Sequence, residues 1–318
     1  MRLSRSINIV GCHCAGEVCD VIVGGVLNPS GCNSMYEKLV HFRDKEDQIR
    51  QLLLQEPRGR SAIADAGLLI MESDEYPPMS GGNAIATTTV LLETGMVKTT
   101  EPVTQMVLDT PAGLVSVTAD CEDGRCKAVT FDNVPSFVFA LDYKIEVAGL
   151  GTVSVDVAWG GMIYALVDAT SLGIRINNQN GPKLIEYGER IKHALQQDST
   201  LEFTEPLDRN KMEAVNTVVV SPGRFDRCPC GTGSCARMAV LHARGQLAVG
   251  ESFTHRSLIG STFECHIRGT QKLGDYDAIL PTVTGSAFIY SFKQMVLGPA
   301  DPWPVGFRVG DQWHVAHD

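Results

Sequence analysis

Hydrophobic and polar residues alternate along several short stretches of the chain, which is the spacing expected of half-buried β-strands. Near the N-terminus this pattern predicts strands at Ile7–Gly11 and Val18–Val26. The apolar stretch Val147–Val167 contains an aspartate and two adjacent glycines, so it predicts two buried strands rather than a membrane-spanning helix. Further strands are predicted at Gln105–Asp109, Leu114–Ala119, Cys126–Phe131, Thr217–Ser221 and Ala287–Val296.

Two other stretches have the spacing of amphipathic helices. Asp44–Gln55 begins with acidic residues, carries three aliphatic residues on one face and ends before Pro57. Pro182–Gln197 has the same character. Because strands and helices follow one another irregularly, the pattern predicts an α+β fold rather than a regular βαβ winding.

Composition narrows the classes of function. The chain has 318 residues, 44% of them hydrophobic, which suits one large or two average domains with well-filled cores. Its net charge of −10 argues against nucleic acid or an anionic membrane as partner. Ten cysteines without a recognisable secretory signal predict a reducing compartment, with the cytoplasm as the expected location.

Two distant segments of the chain resemble each other. Each has a proline, then a small nucleophilic residue (Ser80 or Cys230), then glycines and an apolar helical run. The runs end at Gly95 and Gly245, which follow Ser80 and Cys230 by the same 15 residues. This matched spacing predicts two related halves, each directing the N-terminus of a central helix at a shared site.

Glycines at a helix start leave backbone N–H groups uncovered, and the helix dipole adds partial positive charge. Such a start binds a carboxylate or phosphate. The same field is expected to lower the pKa of Cys230, so that its thiolate could remove a proton from the carbon beside a bound carboxylate. Ser80 is a far weaker acid. Asp226, four residues before Cys230, is either a turn residue or the partner of a substrate ammonium.

Other interpretations compete with this one. Ser80 and Cys230 could be ordinary capping or packing residues of core helices. Gly231–Ala236 fits a dinucleotide-binding pattern, but Pro229 separates it from the preceding strand. Cys12, Cys14 and Cys19 lack the usual spacing of zinc ligands. His242 lies more than three helical turns from Cys230, too far to act as the base of a cysteine hydrolase.

The motifs and their order resemble the proline racemase family, which includes 4-hydroxyproline 2-epimerases and trans-3-hydroxy-L-proline dehydratases. The two catalytic loops of that family correspond to Pro77–Asn83 and Asp226–Gly233. The other matching segments are Gly11 to Glu17, Asp109–Gly113, Asn133–Phe137, Asp156 through Gly160-Gly161 to Asp168, Ser257–Gly260 and Thr284–Ala287.

The resemblance implies two pseudo-symmetric lobes, each a curved sheet or barrel around a central helix, as in diaminopimelate epimerase, with the substrate in the cleft between them. Residues 1–122 with about 290–318 are expected to form the lobe that carries Ser80, and residues 123–289 the lobe that carries Cys230. The family uses no cofactor or metal and acts on a small imino acid. A homodimer is compatible with this assignment.

The resemblance also implies roles for individual residues. Ser80 and Cys230 are expected to flank the α-carbon as the catalytic pair, and Asp226 to hold the ring nitrogen. The expected binding residues for the substrate, mainly through backbone N–H groups at the two helix starts, are Gly81, Gly82, Asn83, Gly231 and Thr232.

The sequence departs from the family pattern in two places. The first loop reads Met79-Ser80-Gly81-Gly82 where the family has Met-Cys-Gly-His, so a thiol and an imidazole are both replaced. The segment between Gly59 and the strand near Leu68–Met71 is shorter than in the family.

One thiol paired with one hydroxyl suits elimination better than symmetric racemisation. The favoured function is therefore dehydration of trans-3-hydroxy-L-proline to Δ¹-pyrroline-2-carboxylate, with weak 2-epimerisation. The alternatives are a 4-hydroxyproline 2-epimerase, a proline racemase, and a non-catalytic protein that binds imino acids.

Overall fold

The computed structural model of the protein describes residues 3–54, 63–66, 69–72, 76–195, 200–220 and 224–304, with the backbone alone described for 63–66. The helices are α1 (Met35–Lys45), α2 (Gln48–Leu54), α3 (Gly81–Glu93), α4 (Gly181–Ala194) and α5 (Gly231–Ala243). The strands are β1 (Arg5–Cys14), β2 (Glu17–Gly24), β3 (Ile63–Ala66), β4 (Leu69–Met71), β5 (Val103–Thr110), β6 (Gly113–Glu122), β7 (Arg125–Asp132), β8 (Ser136–Val147), β9 (Gly151–Trp159), β10 (Ile163–Asp168), β11 (Thr200–Thr204), β12 (Glu213–Val220), β13 (Arg224–Phe225), β14 (Ser252–Arg256), β15 (Thr262–Leu273), β16 (Tyr276–Gly285) and β17 (Ala287–Leu297).

These elements confirm the predicted mixed α+β class. Each predicted strand overlaps an observed one, usually with ends one to four residues away; the stretch Val147–Val167, for example, contains β9 and most of β10. Some predictions lie outside the described residues: the shorter segment that follows Gly59, and the element ends at Gln55, Gln197 and Ser221. Among the described helices, none is long and apolar enough to cross a membrane.

The chain divides into two compact units. The first comprises Met1–Cys14, Val18–Val129 and the segment that begins at Ser286, as far as these ranges are described. The second comprises Ala15–Glu17 and Thr130–Gly285. Ser80 belongs to the first unit, and Asp226 and Cys230 belong to the second.

The first unit contains a five-stranded sheet in the order β17-β1-β2-β3-β4, together with the antiparallel strands β5, β6 and β7. Helix α3 packs against β1, β3 and β17. A hydrophobic cluster joins one face of this sheet to α1 and α2; its buried members include Ile7, Ile9, Leu39, Phe42, Ile49, Leu52 and Met71.

The helix predicted over Asp44–Gln55 is present as α2 with its three aliphatic residues buried, but its predicted start was wrong, because α1 ends within that range at Lys45. Ser34 and Glu37 form a reciprocal capping box that starts α1 earlier than the amphipathic pattern indicates. The chain leaves α1 at Lys45, and the Asp47 carboxylate then accepts hydrogen bonds from Arg50 and Gln51 at the start of α2. Local hydrogen bonds therefore override the apolar periodicity.

The second unit is a closed eight-stranded barrel in the order β8-β9-β10-β11-β12-β14-β15-β16, completed by the pairing of β16 with β8. The pairs β10–β11 and β12–β14 are parallel, and the other described pairs in the barrel are antiparallel. Helix α5 lies inside and packs against β8, β9, β10, β15 and β16. Helix α4 covers β11 and β12 from the other side through an apolar cluster.

The two helices predicted from the repeated spacing are both present. Helices α3 and α5 each have 13 residues, and nearly every residue of each is buried. Each ends just before a glycine with positive φ, Gly95 (+71°) or Gly245 (+67°), a backbone conformation that favours glycine. The sequence repeat therefore corresponds to a structural repeat, with Ser80 and Cys230 as the residues that precede the two helices.

Candidate active site

The loop that carries Cys230 holds this residue in an unusual backbone conformation. Cys230 has φ of +60°, which costs a non-glycine residue conformational energy and persists only where neighbours fix it. The Ser234 hydroxyl and backbone N–H donate to the Cys230 carbonyl at 2.6 and 2.9 Å. The Asn216 amide donates to the carbonyl of Pro229 at 2.6 Å. These bonds keep the thiol in one position at the start of α5.

The sulfur of Cys230 lies near three hydrogen-bonding groups, from Gly233, Tyr164 and Thr232. The Gly233 backbone N–H donates to it at 3.3 Å, and the Tyr164 hydroxyl lies 3.2 Å away. The same hydroxyl lies 2.8 Å from the Thr232 Oγ1. Tyr164 is almost completely buried, so its hydroxyl has these groups in place of water. The arrangement provides donors for a thiolate at this position.

The expected low pKa of the Cys230 thiol was wrong. Burial is the largest cause of a pKa well above the ordinary value of a thiol, and the nearby Asp226 and Glu202 carboxyls raise it further. The hydrogen bonds from Tyr164 and Gly233 act in the opposite direction but do not prevail. The helix-start argument omitted desolvation and the charge of Asp226 in the same loop, and the motif does not reveal burial or the distant Glu202. The Cys230 thiol is therefore harder to ionise than an ordinary cysteine.

Asp226 lies next to this thiol. Burial of its carboxyl, followed by the Glu17 carboxylate, raises its pKa to about 7, while Arg224 and a hydrogen bond with Cys230 oppose the shift. Glu17 in turn accepts from the backbone N–H of Arg227 at 2.6 Å and from its guanidinium at 3.0 Å. A cationic ligand beside Asp226 would stabilise the ionised carboxylate and remove its repulsion of a thiolate at Cys230.

Ser80 has different surroundings in the first unit. It precedes α3, yet its hydroxyl makes no capping bond to the helix, unlike an ordinary N-terminal serine. The Asn83 amide instead donates to Ser80 Oγ at 3.1 Å. Asn83 is buried, and its Oδ1 has no hydrogen-bond partner within the part of the chain that the structure describes. An amide donor orients the hydroxyl and stabilises charge on its oxygen, but it cannot accept a proton from it.

The predicted binding residues occupy the first turns of the two helices. Gly81 and Gly82 begin α3, and Gly231 and Thr232 begin α5, all of them buried. The backbone N–H groups of a first turn have no acceptor within the helix. The structure thus groups Ser80, Gly81, Gly82 and Asn83 in one unit, and Asp226, Cys230, Gly231 and Thr232 in the other.

Gly160 of the Gly160-Gly161 motif has a packing role against α5. A β-carbon on Gly160 would lie 2.1 Å from the Thr232 carbonyl oxygen and 2.6 Å from the backbone nitrogen of Ala236. The Asn133 amide donates to the Gly160 carbonyl at 2.6 Å. Gly160 and Asn133 therefore allow the β9–β10 turn to touch α5, which gives these two residues a packing role.

The competing interpretations find little support in the geometry. The Cys12 thiol donates to the Cys19 carbonyl, and within the described ranges no three metal-binding side chains form a group. His242 lies near the C-terminal end of α5, with Nδ1 2.8 Å from the Leu247 carbonyl oxygen. His255 lies within hydrogen-bonding distance of Ser234 rather than of the thiol. An ordinary capping role remains compatible with Cys230 but not with Ser80.

Several site residues were missed or misassigned. The sequence motifs assign Tyr164 no role beside the thiol, whereas its hydroxyl lies 3.2 Å from the Cys230 sulfur. Glu202 and Asn216 were not identified, although both lie beneath the Cys230 loop. The sequence does contain a signal for Glu202, because it is a charged residue in the middle of the apolar strand Thr200–Thr204. Such a residue is rarely buried without a reason.

Comparisons with known proteins identify the family of the chain. The family model for proline racemase matches residues 9–308. A probable proline racemase from Agrobacterium radiobacter K84, solved with bound carbonate, is 35% identical with a TM-score of 0.90, covering 95% of this chain and 96% of that one. A hydroxyproline epimerase from Agrobacterium vitis, solved with bound trans-4-hydroxy-L-proline, is also 35% identical, with a TM-score of 0.92 and coverage of 98% and 97%.

A more distant likeness concerns the fold alone. A PhzF-family phenazine biosynthesis protein from Bacillus anthracis is 12% identical, with a TM-score of 0.54 and coverage of 91% of this chain and 99% of that one.

One conclusion about the family follows from the motif order, the two matched helix starts and the match along nearly the whole length of the chain. The chain belongs to the proline racemase family.

Proposed function

We propose that this protein dehydrates trans-3-hydroxy-L-proline to Δ¹-pyrroline-2-carboxylate and epimerises C2 only weakly. The observation that carries the proposal is the asymmetry of the two loops. Cys230 is a thiol with hydrogen-bond donors for its anion, whereas Ser80 is a hydroxyl with only an amide donor beside it. Inversion needs a competent acid–base group on each face of the α-carbon, and this pair supplies one.

The reaction follows from the stereochemistry of the substrate. In trans-3-hydroxy-L-proline the α-hydrogen and the 3-hydroxyl share one face of the ring. Cys230, as thiolate, takes the α-proton; the C3–O bond then breaks, and the new thiol returns the proton to the departing hydroxyl, which leaves as water. The resulting enamine tautomerises to Δ¹-pyrroline-2-carboxylate. One residue therefore suffices for both proton transfers, with no net change in the enzyme.

Substrate binding would generate the thiolate. The ring ammonium pairs with Asp226 and cancels the negative charge that opposes ionisation of Cys230. The N–H groups of Gly231 and Thr232 bind the substrate carboxylate at the start of α5. The family resemblance assigns the same role to Gly81 and Gly82. Ser80, oriented by Asn83, is the weaker group for the opposite face.

The decisive experiment follows hydroxyproline isomers by NMR in D₂O. We expect loss of water from the trans-3-hydroxy-L isomer and much slower exchange at C2 of proline. Pyrrole-2-carboxylate should protect Cys230 from iodoacetamide, and Cys230→Ala should abolish turnover. A fully active Cys230→Ala variant would exclude the proposed mechanism.

A second candidate, a 4-hydroxyproline 2-epimerase, is favoured by the likeness to the Agrobacterium vitis enzyme, which was solved with trans-4-hydroxy-L-proline. Rapid epimerisation of that isomer, without water loss from the 3-hydroxy isomer, would establish this function instead. A non-catalytic binding protein would exchange no α-hydrogen of any proline analogue.

A further inference from the structure

Glu202 is a fully buried carboxyl inside the barrel of the second unit. Its neighbours on β11, Leu201 and Phe203, belong to the apolar cluster under α4. Because successive side chains of a strand point to opposite faces, Glu202 faces the interior, where α5 lies. A buried carboxyl costs free energy unless its hydrogen bonds are satisfied, so its position calls for an explanation.

One oxygen of Glu202 is tied to the loop that precedes the thiol. The Asn216 amide donates to Glu202 Oε1 at 2.6 Å and to the Pro229 carbonyl at 2.6 Å. An amide NH₂ group has two protons, and these two bonds use both. Glu202 thus fixes the orientation of Asn216, and Asn216 fixes the carbonyl immediately before Cys230, the residue with φ of +60°.

The other oxygen of Glu202 lies on the same side of the first turn of α5 as the sulfur. A β-carbon on Gly233 would lie 2.7 Å from Glu202 Oε2 and 3.1 Å from Cys230 Sγ. Gly233 therefore leaves the space in which carboxyl and thiol approach each other. Within the described part of the chain, Oε2 has no hydrogen-bond partner, so no donor shields its charge from the sulfur.

Burial favours the neutral form of Glu202. Burial raises its pKa to about 8; Asn216 and the Arg237 guanidinium lower it, and Asp226 raises it. Cys230 and Cys235 also lie close enough for the Glu202 charge to act on their thiols. An ionised Glu202 would disfavour a thiolate at Cys230, whereas a neutral Glu202 would not.

We propose that Glu202 is a positioning residue for Cys230: through Asn216 it holds the strained loop, and in its uncharged acid form it permits the thiol to ionise. The inference rests on the proposed function, in which Cys230 is the proton acceptor. It assigns the reactivity of the thiol to a residue that does not touch the substrate.

The first test is Glu202→Gln, which keeps the size and the acceptor for Asn216 but cannot ionise. The rate of Cys230 alkylation by iodoacetamide is measured between about pH 6 and 10 by mass spectrometry of the Cys230 peptide, without substrate. We expect alkylation above pH 8 to be about tenfold faster in Glu202→Gln than in wild type. Glu205→Gln, which removes a carboxylate just beyond the same strand, should match wild type. An unchanged alkylation profile in Glu202→Gln would overturn the proposal.

A second test separates positioning from charge. Glu202→Leu removes the acceptor for Asn216 and should lower kcat by at least about tenfold with little change in KM, whereas Glu202→Gln should retain kcat at pH 7. Equal loss in both variants would contradict the positioning role.

If these variants fold poorly, the wild-type protein with ¹³C-labelled glutamate serves instead. The ¹³C signal of one glutamate carboxyl should be that of a protonated acid at pH 7, and its chemical shift should change when Cys230 is alkylated. Absence of a protonated glutamate would overturn the proposal. The alkylation test requires no turnover, so failure of the proposed dehydratase activity would be seen separately.

Discussion

The hydroxyl of Tyr164 lies 3.2 Å from the sulfur of Cys230, on a strand 66 residues away in the sequence. Burial and the neighbouring thiol raise the pKa of Tyr164 well above its usual value, so the hydroxyl remains protonated and can donate. Together with the Gly233 N–H, it is the group that stabilises a thiolate in an otherwise unfavourable site. The thiol of this family member thus contacts a residue outside the two loops that contain Ser80 and Cys230.

Replacement of Tyr164 tests this dependence. Tyr164→Phe keeps the ring but removes a hydrogen bond to a charged group, worth about 1.5–3 kcal/mol. We expect kcat/KM to fall by at least about tenfold and alkylation of Cys230 to shift to higher pH. The control is Tyr143→Phe on the exposed side of β8, which should behave as wild type. A Tyr164→Phe variant with normal kinetics would show that the Gly233 N–H alone is sufficient.

Asp226 should control the acid side of the pH profile. The substrate ammonium requires an ionised carboxylate, and the pKa of Asp226 is raised to about 7, so kcat/KM should decline as the pH falls below that value. Asp226→Asn should lose at least tenfold in kcat/KM, about 1.4 kcal/mol, and should lack this decline. Asp277→Asn, a change at an exposed position near the start of β16, provides the control. If the acid limb persists in Asp226→Asn, another group is responsible for it.

The partition between elimination and epimerisation should depend on Ser80. Ser80→Cys gives the second face of the α-carbon a competent acid–base group. The double variant with Gly82→His also restores the loop sequence of the family. We expect the ratio of epimerisation to dehydration to rise at least about tenfold, measured by chiral chromatography of the products. Asn83→Ala should instead reduce the residual epimerisation, because Ser80 loses its orienting donor. An unchanged product ratio in Ser80→Cys would mean that Ser80 does not face the α-carbon.

His255 should make the fold sensitive to acid. Ser234 donates its proton to the Cys230 carbonyl, so His255 Nδ1 donates to Ser234 Oγ at 2.8 Å and the ring is neutral. Burial and Arg237 lower the pKa of His255 to about 3, compared with an ordinary 6.5. The unfolded chain therefore binds the proton first, and stability falls as the pH drops from 6.5 towards 3.

Urea unfolding checks the prediction. Between pH 7.5 and 5, the free energy of unfolding of wild type should fall by roughly 2 kcal/mol more than that of His255→Asn, whose amide can still donate to Ser234. His266→Asn, on the neighbouring strand with an exposed bond to Ser252, should retain the wild-type slope. Glu202 and Asp226 have raised pKa values, so they change the free energy of unfolding with pH in the opposite direction. Both proteins retain these two residues, so the comparison between them cancels this contribution. If the free energy of unfolding changes equally with pH in His255→Asn and wild type, His255 is not the group that makes the fold sensitive to acid.

Local features of the sequence were sufficient for much of the fold. Alternation of apolar residues predicts the strands, and the repeated spacing from Ser80 to Gly95 and from Cys230 to Gly245 predicts α3 and α5. These signals depend on residues close in the chain, since helix starts, helix ends and strand faces are set by neighbours. The order of the two loops likewise indicates the family.

The state of the site was decided by tertiary structure. Cys230 has a raised pKa because strands distant in sequence enclose it and bring Glu202 near its sulfur, in addition to Asp226 of its own loop. Tyr164 and Asn216 reach the same loop from β10 and β12. Desolvation and charge act through space and depend on all the atoms around a group. A motif therefore names the reactive residue, but only the packed barrel determines whether it carries a proton.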